Sequence, residues 1–212
     1  MPVKKLLSII VLTILLSACR NHNRNILLAA NDKAAQKNYN DMLYKESKKN
    51  VRNDTLLYGV FFQMPDTAFY SYCTKMFKKG IFNGGYDYEV EVHITDAFKR
   101  PVQLKFYPVF EKSAITELPC RFSYIDANVY KKDDRADVLL NELIPVIMKW
   151  YGGNIFVEMP AHNPLKGPTY IKIDANRQIT IAEGDNVTEV EVNFKDLKPA
   201  GKKKFEQTTK HQ

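Results

Sequence analysis

From Asp87 to Thr95 polar and apolar residues alternate strictly, with Tyr88, Val90, Val92 and Ile94 on one side and Asp87, Glu89, Glu91, His93 and Thr95 on the other. A period of two is the signature of a strand with one face in the core and one in water. Residues 101–110 and 117–126 continue as strands, and the apolar run Leu56–Phe62 reads as a short buried strand. Between these lies a different period. Phe69, Cys73, Met76 and Phe77 recur at helical spacing, with Asp66 or Thr67 placed to cap the start and Gly80 to stop the run.

The second half repeats this order. Asp133 and Asp134 precede an apolar stretch from Ala136 to Tyr151 that Gly152-Gly153 closes, which predicts a helix kinked at Pro145. Strands follow at 154–159, 169–174, 178–183 and 187–194, and Asp174-Ala175-Asn176-Arg177 is the clearest hairpin turn. A helix followed by three or four strands, twice over, predicts an α+β fold: an antiparallel sheet with two helices packed on one face, in two helix-plus-strands halves. The halves share no convincing residue identity, so the repeat is one of order only.

The N-terminus follows another logic. Lys4 and Lys5 precede an apolar run from Leu6 to Leu16, which is too short for a bilayer span of roughly 20 residues but suits the core of a secretory signal. Small residues Ser17 and Ala18 then lead to Cys19, and the chain turns polar at once with Arg20-Asn21-His22-Asn23-Arg24-Asn25. The stretch Leu16-Ser17-Ala18-Cys19 resembles the lipobox of bacterial lipoproteins, a resemblance confined to the first 19 residues. It implies that the Cys19 thiol carries diacylglycerol, that cleavage falls before Cys19, and that the chain is held to a leaflet by several acyl chains. Arg20, where an aspartate would resemble the inner-membrane retention signal of enteric bacteria, favours the outer membrane. The basic run after Cys19 differs from the acidic one of surface-exported Bacteroides-group lipoproteins, which favours the periplasmic face. In composition the chain resembles lipoproteins of unknown function from that group.

On this reading residues 1–18 are a signal peptide, 19–54 a lipidated polar tether with one helical turn or two between Ile26 and Lys49 and no sustained apolar face, 55–194 the α+β domain and 195–212 a basic disordered tail. The formal charge of +7 suggests nucleic acid until its distribution is seen. Residues 20–54 hold eight basic and four acidic residues, 195–212 six and two, and 55–194 fifteen and eighteen, so the basicity belongs to the ends. A chain of this kind suits an anionic membrane surface, and no nucleic-acid partner is expected.

Candidate chemistry is sparse. Cys73 and Cys120 both fall on core-facing positions; an oxidising compartment permits a bridge between them, and burial as free thiols is the alternative. Asp87, Glu89, Glu91 and His93 resemble a ligand set, but residues two apart on a strand are about 6.6 Å apart, which favours a solvated face over convergence on one ion. The segment Glu158–Tyr170 carries three prolines and a glycine, stiffening a loop that displays His162, Asn163 and Lys166 as a candidate binding site. Asn186-Val187-Thr188 reads as a turn, and Trp150 and Tyr151 as core. Nucleophile-elbow, zinc-helix, phosphate-loop and dinucleotide motifs are missing, so no catalytic residue, cofactor or metal is assigned. The expected function is a membrane-anchored, non-catalytic binding or assembly module of the cell envelope, with a protein or glycan partner. The alternative is an envelope hydrolase pairing His162 with Asp126, Asp174 or Glu158.

Overall fold

A computed structural model describes residues 25–28, 31–84, 89–161 and 166–198. The lipobox with Cys19, the positions Asp87 and Tyr88, the loop residues His162 and Asn163 and the C-terminal tail lie outside them. The fold is α+β. Ten strands form one sheet in the order β1-β7-β8-β9-β10-β6-β4-β3-β2, with β5 pairing β6 off that path. The strands are β1 Ile26–Leu27, β2 Asn83–Gly84, β3 Val90–Ile94, β4 Val102–Phe106, β5 Val109–Glu111, β6 Ala114–Tyr124, β7 Phe156–Met159, β8 Thr169–Asp174, β9 Arg177–Glu183 and β10 Val190–Asp196. Every pairing is antiparallel except that of β1 with β7.

The two predicted halves are visible in this order. Each contributes an antiparallel run of strands, and the last strand of the first half, β6, pairs with the last strand of the second, β10, through Val192 opposite Cys120. The register then carries one apolar face across the sheet: Phe106 opposite Cys120, Cys120 opposite Val192, Val192 opposite Ile181 and Ile181 opposite Tyr170. Helices α2 Asp66–Lys78 and α3 Ala136–Tyr151 cover this face. Helix α2 buries Phe69, Cys73 and Met76, and Phe69 meets Phe110 edge-on. Helix α3 buries Leu139, Leu140, Leu143, Ile144 and Ile147, runs through Pro145, and sets Tyr151 on Phe194. Each fully buried Phe or Leu removes enough apolar surface to stabilise the fold by about 1.5–3 kcal/mol.

Two expectations are corrected. The apolar run 56–62 forms turns rather than a strand: Leu56 N donates to Val60 O and Val60 N to Leu57 O, and only Thr55 and Phe61 form a bridge. Leu56, Leu57, Val60 and Phe62 are all buried, so the run is a plug whose side chains enter the core without alternating. Its tight path needs Gly59, at φ +80°, where a Cβ would also collide with Tyr72 Oη.

The second correction concerns the tether. Asp32–Ser47 is a third helix, α1, capped by Asn31, whose side chain accepts from Ala34 N at 3.0 Å. It packs on β7 and β8. Its Tyr39 hydroxyl donates to Gln178, which alternates with the core-facing Arg177 and Ile179, so α1 lies on the face opposite α2 and α3. Among its residues only Ala35 and Glu46 are buried. A helix docked by a carboxylate rather than an apolar stripe leaves no hydrophobic period to read. No described helix is long and apolar enough to cross a membrane.

Candidate functional site

Strands β8 and β9 turn at Ala175-Asn176, with Ala175 at φ +57°. Around this turn the fold buries charge. Lys172 is fully buried, with Nζ 2.9 Å from Asp174 Oδ2, and it also donates to Gly152 O at the end of α3. Asp174 Oδ1 accepts from Asn154 N at 2.7 Å. Gly153 is required beside it, because a Cβ there would run into the carboxylate. Arg177, only 5% exposed, donates from Nη1 to Thr55 O at 2.9 Å and lies 4.4 Å over the Tyr151 ring.

Two cations thus share one carboxylate, and Arg177 Nη2 stands 3.8 Å from it. Burial pushes the Lys172 ammonium and the Arg177 guanidinium below their ordinary pKa values, against the pull of Asp174. Burial also holds the Tyr151 hydroxyl far above the usual phenol range. The Arg177 Nε–H is buried without a hydrogen-bond partner.

A second polar layer pins the neighbouring segments to the turn. Glu46, fully buried, accepts from Ala175 N at 2.7 Å, from Asn154 Nδ2 at 2.8 Å and from Lys49 Nζ at 2.7 Å. Burial alone would raise its pKa, but these donors outweigh it and hold the carboxyl below the usual range. Asn176 bridges Asp54 and Asp196, and Arg52 joins the same two carboxylates.

Above Arg177 opens a cleft of about 680 Å³ whose lining includes Asn53, Tyr58, Asp96, Lys149 and Trp150. Its floor carries excess positive charge, its walls are aromatic, and its rim holds one cation and one acid. That combination suits an anionic group attached to a flat or partly apolar body. Trp150, expected in the core, is 37% exposed and stands at the rim, edge-on to Phe98.

The structure separates the other candidates. Lys166 pairs with Asp185 at 2.6 Å, and no described residue of the 159–168 segment lines the cleft. Asp126 follows β6 in a left-handed turn, Glu158 is on β7, and Asp174 is committed to Asn154 and Lys172. On the open sheet face Arg121 grips both oxygens of Glu89 at 2.7 and 2.5 Å, and Glu91 meets His93 at 2.9 Å. Among the described residues no three His, Cys, Asp or Glu are grouped to hold a metal. Cys73 and Cys120 are free and buried; burial pushes the Cys73 thiol up to about 11 and that of Cys120 well above its ordinary value. Asn186-Val187-Thr188 is a turn closed by the Asn186 side chain, which accepts from Thr188 Oγ1 at 3.1 Å.

Lys172 and Arg177 were not singled out by the sequence, and their signal is slight. Within Thr169–Glu183 they stand among apolar residues in a way that reads equally well as a wet strand face. No protein family, curated protein or solved structure matches the chain.

Proposed function

We propose that the protein is a bacterial lipoprotein held in the cell envelope through lipid on Cys19, and that its α+β domain is a binding module rather than an enzyme. The observation that carries the binding role is Arg177: a buried guanidinium with an unpaired Nε–H, at the floor of an open cleft, whose one ion-pair partner among the described residues, Asp174 at 3.8 Å, also serves Lys172. A guanidinium held this way has electrostatic capacity left for an acidic group, and Tyr58 and Trp150 offer apolar surface to the body that carries it. The partner is an acidic glycan or an acidic protein segment of the envelope. The anchor rests on the ordered signature of Lys4-Lys5, the apolar run, Ser17-Ala18 and Cys19.

Cells fed radiolabelled palmitate are expected to label the wild-type chain and leave Cys19→Ser unlabelled; equal labelling would remove the anchor. A photocrosslinking residue in place of Ala97, on the cleft wall, is expected to capture a discrete envelope component in intact cells. The same residue at the exposed Lys33 on α1 is the control. Background capture from both positions would remove the binding role.

A further inference from the structure

The two ends of the described chain leave the fold side by side. Asn25 O accepts from Phe156 N at 2.8 Å where β1 and β7 begin, and Asn154 just before β7 is tied to Glu46. Strand β10 finishes opposite Arg177, after which Lys198 Nζ donates to Lys49 O at 3.0 Å and Lys198 O accepts from Arg52 at 2.6 Å. The start of β1, the end of β10, the last turn of α1 and the C-terminus of α3 therefore form one end of the molecule.

That end has a basic surface. Lys45, Lys48, Lys49, Arg52 and Lys149 are exposed and Lys198 is half-buried. Most acids among them are withdrawn: Glu46, Asp174 and Asp196 are buried and Asp54 is paired with Arg52, while Asp96, across the cleft from Lys149, is exposed. Between the cations stand Tyr44 at 51%, Val51 at 58%, Trp150 at 37% and Ile155 at 39% exposure. Aromatic and aliphatic side chains set among lysines are the composition of a membrane–water interface. The opposite end carries mixed charge, with Asp126, Asp133, Asp185 and Glu189 beside Lys131, Lys132, Arg135 and Lys166.

Resting on the lipoprotein reading above, we infer that this end is a membrane-docking face that lies against anionic phospholipid headgroups and fixes the orientation of the domain. Chain length supports it. Asn25 is six residues beyond Cys19, which limits the reach to about 22 Å whatever path the chain takes. The fold itself begins there, so the domain cannot stand far off the bilayer. Beyond Lys198 the sequence adds Lys202, Lys203 and Lys204 from the same end. Attraction between these cations and anionic lipid acts within a Debye length, about 10 Å at 0.1 M salt, a distance the short leader keeps within reach.

Trp150 is the only tryptophan in the chain and stands on the proposed face, so its emission reports the contact. The processed, lipidated full chain is reconstituted into vesicles of phosphatidylcholine and phosphatidylglycerol whose acyl chains carry bromine close to the headgroup. Emission is expected to fall at least about twofold relative to unbrominated vesicles, and to recover in Lys45→Glu/Lys48→Glu/Lys198→Glu or in high salt. A chain that floats with the vesicles but is not quenched overturns the orientation and leaves the anchor standing. Quenching that survives both the charge reversal and the salt overturns the role of the basic face. A wild-type chain that fails to float overturns the anchor, and the inference with it.

Discussion

The protein sets the same residue types in two environments. At the β8–β9 turn Lys172, Asp174 and Arg177 lie out of water, together with Glu46 from α1. On the open face of β3, β4 and β6 the pairs Arg121–Glu89 and Lys105–Glu91 are partly solvated. Burial makes each unpaired charge expensive, so most of the first group is held by close partners, and the one buried donor of Arg177 left without a partner, its Nε–H, stands out at the cleft floor. The second group is screened and replaceable. The difference assigns roles: the buried charges hold the loops that build the cleft, while the exposed ones keep one face of a long sheet wet and guard its surface against association.

The most severe way to break this arrangement is to remove the shared carboxylate. Asp174→Ala leaves Lys172 and Arg177 buried together without the carboxylate they share, and the expected loss is about 3–5 kcal/mol in urea or guanidinium unfolding. Lys172→Met tests the same logic from the other side. It leaves Asp174 with Arg177 and restores charge balance, so its cost is expected to stay within about 1 kcal/mol. If Lys172→Met proved as damaging as Asp174→Ala, the two-cations-to-one-acid reading of the floor would fall.

Glu46 comes next. Glu46→Gln keeps the shape but loses the charge that draws Lys49, Asn154 and Ala175 together, with an expected cost of about 2 kcal/mol. Hydrogen exchange should show α1 losing protection while β9 and β10 keep theirs. The carboxyl sits below its ordinary pKa in the folded protein. Its contribution is therefore fully present above the unfolded value of about 4.3 and is lost as pH falls through the lower folded value. The stability gap between wild type and Glu46→Gln should be constant from neutrality to about pH 5 and close below about pH 4. A gap independent of pH would mean that the amide replaces the carboxylate without electrostatic loss.

Where the sequence was legible, one physical period dominated. Strand β3 has one wet face, and Val90, Val92 and Ile94 alternate visibly with Glu91 and His93. Helices α2 and α3 each present an apolar stripe to the sheet, and both were readable from Phe69-Cys73-Met76 and from Leu139-Leu143-Ile147. Where two covers compete, the period disappears. Strand β8 has α3 on one side and α1 on the other, so Lys172 and Asp174 are as buried as Ile173, and a lysine there looks like solvent exposure. Helix α1 was legible only as a turn or two between Ile26 and Lys49, and its full length and docking were hidden for the complementary reason, since its decisive contact is a carboxylate. The cleft was illegible because it is assembled from Asn53–Tyr58, Ile94–Ala97, Lys149–Tyr151 and Arg177, four stretches that only the tertiary fold brings together. Trp150 could have been found by its place at a helix end, where an aromatic ring is as readily rim as core.

The gentlest test concerns the wet face. Arg121 holds both oxygens of Glu89, yet the arginine side chain is 45% exposed and the glutamate 30%, so water competes for every bond they make. One nitrogen, Nη2, spans both oxygens in a forked contact instead of the two parallel bonds of a bidentate pair, and solvent screening and the entropy of fixing two long side chains lower the interaction further. The balance puts the coupling energy from a double-mutant cycle of Arg121→Ala and Glu89→Ala at about 0.2–1 kcal/mol, shrinking further as salt is added. A coupling above about 2 kcal/mol that salt does not erode would show that this face is dry in the working protein. The surface of β3, β4 and β6 would then have to be covered by a partner or a second copy, and its charges would count with those at the β8–β9 turn.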